Sequence, residues 1–148
     1  MHHPSVDHAP ASAEAAEAAF YDALQRADVD AVMRLWADDD EPVCVHPGGP
    51  RAVGVAAIRA GFEQLFAGGP LHVTPERVLR TVSLGCAVHN VVERVHLDPG
   101  EDGARYALVL ATNVYMKVAG SWRMVLHHAS PATAHEAVEV LALHERLH

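Results

Sequence analysis

The sequence has little cysteine and little positive charge for its 148 residues. Its two cysteines, Cys44 and Cys86, lie far apart and outside any CxxC pattern, which argues against a disulfide framework. Lys and Arg number 11 against 19 Asp and Glu, so the formal net charge is -8. Because no basic stripe is present that could neutralise phosphates, we expect no nucleic-acid partner.

Long apolar runs and common site motifs are also missing. No run approaches the roughly 18 apolar residues of a membrane span, and the start lacks the apolar core of a signal peptide, so we expect a cytoplasmic protein with no membrane contact. The 12 histidines show no spacing typical of a zinc site, and no GxSxG nucleophile motif occurs. We therefore expect neither a metal nor a cofactor.

The order of hydrophobic patterns predicts helices first and strands later. Helical spacing predicts helices over 11–27, 29–37 and 55–67, capped at Ser12 and Asp28, with a strand ending at His46 and a loop over "GGPRAVG". Alternating patterns then predict four antiparallel strands. The length suits a single domain over 1–148, with a disordered start at 1–10 and a helical tail at 132–148. The fold class is therefore α+β.

Strand alternation groups the polar residues of the sheet by face. In "CAVHNVVERVHL", His89 and Glu93 share a face, and in "ATNVYMKV", Asn113 and Tyr115 share one. The last strand, "SWRMVLHHASP", ends with His127 and His128, which a period of two places on opposite faces.

Three segments, in this order, resemble the SnoaL-like branch of the nuclear transport factor two-like superfamily. They are "ALQRADVDAVMRLWADD", "VCVHPGGPRAVGVAAI" and "ATNVYMKVAGSWRMVLHHASP", and the resemblance runs from about Ala13 to Pro131. It implies a cone-shaped α+β barrel with a deep pocket between the first helices and the sheet. It also implies a homodimer through the outer face of the sheet. The superfamily contains isomerases, dehydratases, polyketide cyclases and a kinase association domain.

The resemblance also implies which residues face the pocket. In the kinase association domain the histidine at the position of His128 faces the cavity, and Asn113 stands where that domain carries a pocket arginine. We therefore expect His128 inside and His127 outside. Strand alternation adds His89, Glu93 and Tyr115 to the inward-facing candidates, and we expect Tyr21, Trp36 and His46 to close the cavity.

Glu93, His128 and His46 are the candidate catalytic residues. Burial would raise the pKa of Glu93, and a carboxylate beside an imidazole can act as general base and acid. Simpler interpretations stay open: Glu93 could pair with Arg80 or Arg105 on the outer face, and His46 could bond a loop carbonyl. Asn113 could equally be a core amide and Trp36 a core side chain.

Three hypotheses about function follow. The first is a pocket that binds a small, partly apolar molecule carrying a carbonyl or carboxylate. The second is a cofactor-independent isomerase, dehydratase or cyclase that uses a Glu and His pair. The third is a protein-association module. Fold alone does not choose among them.

Overall fold

Three helices and six strands make up the described part of the chain. The structure is a computed structural model, and it describes residues 10–38, 41–100, 103–133 and 135, with the backbone alone at 98–100 and 103–105. The helices are α1 (Ala13–Arg26), α2 (Val29–Leu35) and α3 (Val55–Phe66). The strands are β1 (Val43–Val45), β2 (Arg51–Val53), β3 (Val73–Val82), β4 (Cys86–Gly100), β5 (Gly103–Val118) and β6 (Ser121–Pro131). The predicted disordered start and helical tail lie, apart from residues at their borders, outside the described residues.

Side-chain caps fix the starts of the first two helices, as the sequence predicts. The Ser12 hydroxyl accepts a hydrogen bond from the Ala15 amide at 3.0 Å, and the Asp28 carboxylate accepts one from Ala31 at 3.0 Å. Each bond satisfies an amide that has no partner inside the helix. No described helix has both the length and the apolar character needed to cross a membrane.

The strands form one sheet in the order β2-β1-β6-β5-β4-β3. β1 runs parallel to β6, and the other neighbours are antiparallel. The α+β prediction and the four-strand meander are therefore confirmed. The predicted loop over "GGPRAVG" is partly wrong, because its residues Arg51–Val53 pair with β1 as β2. Glycine and proline on either side hide so short a strand from sequence patterns.

A β-bulge near the middle of β6 reverses the alternation of that strand. Val114 pairs with Leu126 but Tyr115 pairs with Met124, so Val125 is an extra residue without a partner. One extra residue moves every later side chain to the other face. His127 is consequently buried and His128 exposed, and the prediction that His128 faces the inside is wrong.

Aromatic side chains from α1 and α3 fill the space over the inner face of the sheet. The rings of Phe20 and Phe62 meet edge to face at 6.2 Å, and the Phe20 ring lies 5.2 Å from that of His127 on β6. Both phenylalanines are at most 1% exposed. Helices and sheet therefore enclose a common core, in which the polar residues of β4, β5 and β6 are embedded.

Candidate functional site

A cavity of about 310 Å³ opens between the helices and the sheet. Its lining is formed by Phe20, Leu24, His46, Pro47, Phe62, Leu65, Leu71, Val73, Glu93, Val95, Ala107, Val109 and His127. Among these described lining residues, His46, Glu93 and His127 alone carry polar side chains. The volume lies at the lower end of the range of roughly 300–1,000 Å³ that is usual for ligand pockets. The cavity therefore suits a small, largely apolar molecule.

A chain of buried hydrogen bonds connects Glu93 to His127. The Tyr21 hydroxyl donates to Glu93 Oε2 at 2.7 Å, and Asn113 Nδ2 donates to the Tyr21 oxygen at 3.0 Å. The amide oxygen of Asn113 then lies 2.5 Å from His127 Nδ1. We call this chain of hydrogen bonds the pocket network. Its four members, Glu93, Tyr21, Asn113 and His127, come from four different elements. Its two end members line the cavity.

Local geometry explains why these residues meet. Tyr21 lies one turn after Glu17 on the buried face of α1, and Glu93 lies four residues after His89 on the inner face of β4. The helix face and the strand face therefore make two successive contacts, Glu17 with His89 and Tyr21 with Glu93. Asn113 reaches Tyr21 from β5, beside His127 on β6.

Burial sets the protonation of the two ends of the pocket network. Removal from water raises the pKa of Glu93 to about 7, although the hydrogen bond from Tyr21 acts in the opposite direction. Burial, with smaller effects of His46 and His128, lowers the pKa of His127 to about 3. Near neutral pH, Glu93 can therefore gain or lose a proton, while His127 stays neutral.

Two further groups lie close to the network. Burial lowers the pKa of His46, whose ring stands edge to face with Phe62 at 4.8 Å. Burial and the nearby Glu93 raise the pKa of the Cys44 thiol to about 12. Since the thiolate is the reactive form of cysteine, Cys44 is not suited to act as a nucleophile.

A second buried polar group, which we call the Glu17 cluster, lies behind the cavity. Glu17 Oε1 accepts a hydrogen bond from Arg80 at 3.1 Å, and Glu17 Oε2 lies 2.5 Å from His89 Nδ1. The ring of Tyr115 lies 4.9 Å from that of His89. None of these four residues lines the cavity. Glu17 and His89 are buried, whereas the Arg80 side chain is 37% exposed, so the ion pair lies at the edge of the core.

The predicted site residues thus fall into several groups. His46 and Glu93 line the cavity, and Tyr21 and Asn113 lie directly behind it. His89 and Tyr115 are buried in the Glu17 cluster instead. Trp36 is a buried core residue that bridges to Met124 at the end of α2.

Some alternatives are also decided by the geometry. Arg80 pairs with Glu17 and not with Glu93, and Asn113 has both ends of its amide hydrogen-bonded, as expected of a core amide. His128 lies on the exposed outer face, so it cannot reach the cavity. In the part of the chain that the structure describes, no three His, Cys, Asp or Glu side chains are grouped in a way that could hold a metal ion.

The sequence prediction missed two buried polar residues, His127 at the cavity and Glu17 behind it. His127 was missed because a bulge leaves no clear mark in the sequence. Glu17 had a usable signal, since it falls between Ala13, Ala16 and Phe20 on the apolar face of α1, where an unpaired carboxylate would be costly.

Comparisons with known proteins identify the family. The model of the SnoaL-like domain matches residues 13–134, which include every helix and strand described above. The chain belongs to the SnoaL-like family. A search of curated proteins finds no significant match.

Solved structures with this SnoaL-like fold include proteins of several kinds. A candidate calcium/calmodulin-dependent protein kinase type II association domain from Thiobacillus denitrificans is 37% identical, with a TM-score of 0.77 over 85% of this chain and 99% of that one. A candidate dehydratase of the NTF2-like family from Streptomyces avermitilis is 27% identical, with a TM-score of 0.70 over 80% and 93%. A ketosteroid isomerase-like protein from Erwinia carotovora atroseptica is 25% identical, with a TM-score of 0.64 over 81% and 93%.

Proposed function

We propose that the cavity binds a small, largely apolar carbonyl compound and that Glu93 transfers a proton on it, as in a cofactor-independent isomerase or dehydratase. The observation that carries this proposal is the position of Glu93: a carboxyl group that lines an apolar cavity and has a pKa raised to about 7. A general base is most effective when its pKa lies near the working pH.

The partners of Glu93 support this role. Tyr21 holds Oε2, while Oε1 has no hydrogen-bond partner among the described residues. In the same part of the chain, no Lys or Arg forms an ion pair with Glu93, so nothing there holds it permanently ionised. A carboxylate in this setting can accept a proton from a carbon next to a carbonyl and return it to another atom.

His46 is placed to assist the reaction. It lines the same cavity, and its ring centre lies 6.1 Å from that of His127. Burial lowers its pKa, so the ring is neutral near pH 7 and carries one N–H. That N–H could donate to the oxygen on which negative charge develops when Glu93 removes a proton.

Proton exchange on a small ketone tests the proposal directly. We would follow the loss of the α-protons of 2-tetralone in D₂O by NMR, with wild-type protein, Glu93→Gln and the control Glu63→Gln, whose side chain is exposed on α3. We expect wild-type and control to accelerate the exchange equally. Glu93→Gln should lower the rate by about 10² to 10⁴, which is the usual contribution of a general base.

Two results would count against proton transfer by Glu93. One is a Glu93→Gln variant as fast as wild type. The other is wild-type protein that binds the ketone, as measured by calorimetry, without accelerating exchange. In that second case the cavity is a binding site without this catalysis.

We also propose a homodimer through the outer face of the sheet. On that face Leu79, Val88 and Met116 are exposed by 71%, 37% and 41%, and they lie beside the half-buried Val114 and Leu126. An apolar surface of this kind commonly marks an interface. The likeness to an association domain adds support.

The mass in solution tests the dimer. We expect light scattering to give about twice the chain mass of 15.9 kDa for wild type and about that mass for Met116→Asp. Leu84→Asp is the matched control, because Leu84 is 98% exposed but lies in the turn before β4. A monomeric wild type, or a dimer that survives Met116→Asp, would contradict the proposal.

A further inference from the structure

When Glu93 is ionised, the donor and acceptor of every hydrogen bond in the pocket network are fixed. A carboxylate has no proton to give, so the Tyr21 hydroxyl donates to it and uses its only hydrogen. Towards Asn113 the Tyr21 oxygen can then only accept, and the amide presents its NH₂ group there. The amide oxygen therefore faces His127 Nδ1. Since that oxygen can only accept, Nδ1 must carry the proton.

These donor and acceptor roles decide whether His127 donates a hydrogen bond to a ligand or accepts one from it. A neutral imidazole with its proton on Nδ1 has an unprotonated Nε2, which is a hydrogen-bond acceptor. No hydrogen bond from any described residue reaches Nε2, and the side chain lines the cavity. His127 therefore presents a fixed lone pair to whatever the cavity holds.

The rest of the cavity lining reinforces this preference. Glu93 is the second polar group and is also an acceptor once ionised, and no Lys or Arg is found among the lining residues whose side chains the structure describes. A carboxylate ligand would meet a lone pair and a second carboxylate, with only the single N–H of His46 to offset its lost hydration. Burying an anion under these conditions is unfavourable.

We infer that the substrate is a neutral hydroxy carbonyl compound, whose hydroxyl group donates a hydrogen bond to His127 Nε2 while the carbon beside its carbonyl faces Glu93. This inference rests on the proposed function for the role of Glu93, but its first half concerns binding alone. Because Nε2 has no proton to give, His127 positions the hydroxyl and does not protonate it for departure.

Three ligands built on the same naphthalene ring test the hydroxyl preference. We would measure binding of 2-naphthol, 2-methoxynaphthalene and 2-naphthoate to the full-length protein at pH 7.5 by calorimetry. 2-Naphthol should bind about tenfold more tightly than the methoxy compound, since one hydrogen bond to an otherwise unpaired acceptor contributes about that factor. Binding of 2-naphthoate should be weaker still. Equal affinity for the first two, or a preference for 2-naphthoate, would overturn the inference.

A variant and a spectroscopic measurement separate this role from a purely structural one. In His127→Phe the preference for 2-naphthol should fall to about one, with 2-methoxynaphthalene still bound. In wild-type protein labelled with ¹⁵N-histidine, long-range proton–nitrogen correlation should show His127 with its proton on Nδ1. A proton on Nε2 would overturn the inference even if the variant does not fold.

The outcomes also distinguish this inference from the proposed function. If 2-tetralone exchange depends on Glu93 but the ligand pair shows no preference, the proton-transfer proposal stands and the hydroxyl inference fails. If the preference and the Nδ1 proton are found without any exchange, hydroxyl recognition stands and proton transfer fails.

Discussion

Glu17 and Glu93 are both buried carboxylates between α1 and β4, yet their surroundings differ in two respects. Glu17 is paired with Arg80 and His89, and it lies away from the cavity. Among the side chains that the structure describes, the Tyr21 hydroxyl is the one hydrogen-bond partner of Glu93, which lines the cavity. Compensation by a cation keeps a buried carboxylate ionised, whereas a neutral partner leaves its protonation free to change.

The difference between the surroundings of Glu17 and Glu93 does not arise from the backbone. Both carboxylates use the same pair of surfaces, and the two contacts are related by about one helical turn and four strand residues. In the first contact the helix supplies the carboxylate, and in the second the strand supplies it. Position relative to Arg80 and to the cavity therefore separates a structural group from a candidate catalytic one.

The largest expected effect on stability comes from breaking the Glu17 cluster. Glu17→Ala leaves His89 and part of Arg80 buried without their partner, and we expect a loss of about 3 kcal/mol in the free energy of unfolding. Urea denaturation measures this loss.

Glu63→Ala is the matched control on an exposed helix face, and it should change stability by no more than about 0.5 kcal/mol. A Glu17→Ala variant as stable as this control would show that the Glu17 cluster is not the structural member of the pair.

A comparable effect, but one that depends on pH, should come from Glu93→Gln. The pKa of Glu93 is raised from 4.5 to about 7, so the folded state favours the protonated form. The stability that Glu93 contributes is then fully present below pH 4.5 and is lost as the pH rises through 7. Gln does not ionise, so the variant should gain about 3 kcal/mol relative to wild type between pH 4.5 and 8.

Urea denaturation of both proteins across this pH range gives the difference in their free energies of unfolding as a function of pH. The curve for Glu63→Gln against wild type should stay flat. A flat curve for Glu93→Gln as well would mean that Glu93 titrates as an ordinary carboxylate.

A smaller effect is expected from Tyr21→Phe. The phenol hydrogen bond lowers the pKa of Glu93, so its removal should move the titration of Glu93 above pH 7. Above that pH the loss in stability should be about 1–2 kcal/mol, as for other hydrogen bonds to charged groups.

The difference in free energy of unfolding between Tyr21→Phe and Tyr21→Phe/Glu93→Gln, followed against pH, gives the new midpoint of the Glu93 titration. Tyr106→Phe is the control, because Tyr106 is 42% exposed on the outer face and its ring contacts Arg94. An unchanged midpoint in Tyr21→Phe would show that the hydrogen bond does not control the protonation of Glu93.

Sequence reasoning predicted three members of the pocket network and missed the fourth, His127. Alternation along β4 and β5 placed His89, Glu93, Asn113 and Tyr115 on the inner face, where they are all buried. It failed on β6, since the extra residue Val125 shifts the alternation and exchanges His127 with His128. Tyr21, which we expected to close the cavity from the first helix, lies directly behind it. β2 has only three residues between Pro50 and Gly54, which is too short a pattern to recognise.

The pairing of the carboxylates was beyond sequence reasoning for a different reason. Glu17 and His89 are 72 residues apart, as are Tyr21 and Glu93, so each contact depends on how α1 lies across the sheet. Periodicity shows which face a residue occupies, but not its neighbour on another element. The division into a compensated and an uncompensated carboxylate therefore becomes visible only in three dimensions.

The most direct test of the account is the pKa of Glu93 itself. Carbon-13 NMR of the glutamate side-chain carboxyls, with Glu93→Gln used to assign the signal, follows its titration without reference to any ligand. The account predicts a midpoint near 7. A midpoint near the ordinary value of 4.5 would contradict it, because Glu93 would then be ionised at neutral pH and no longer a suitable proton carrier.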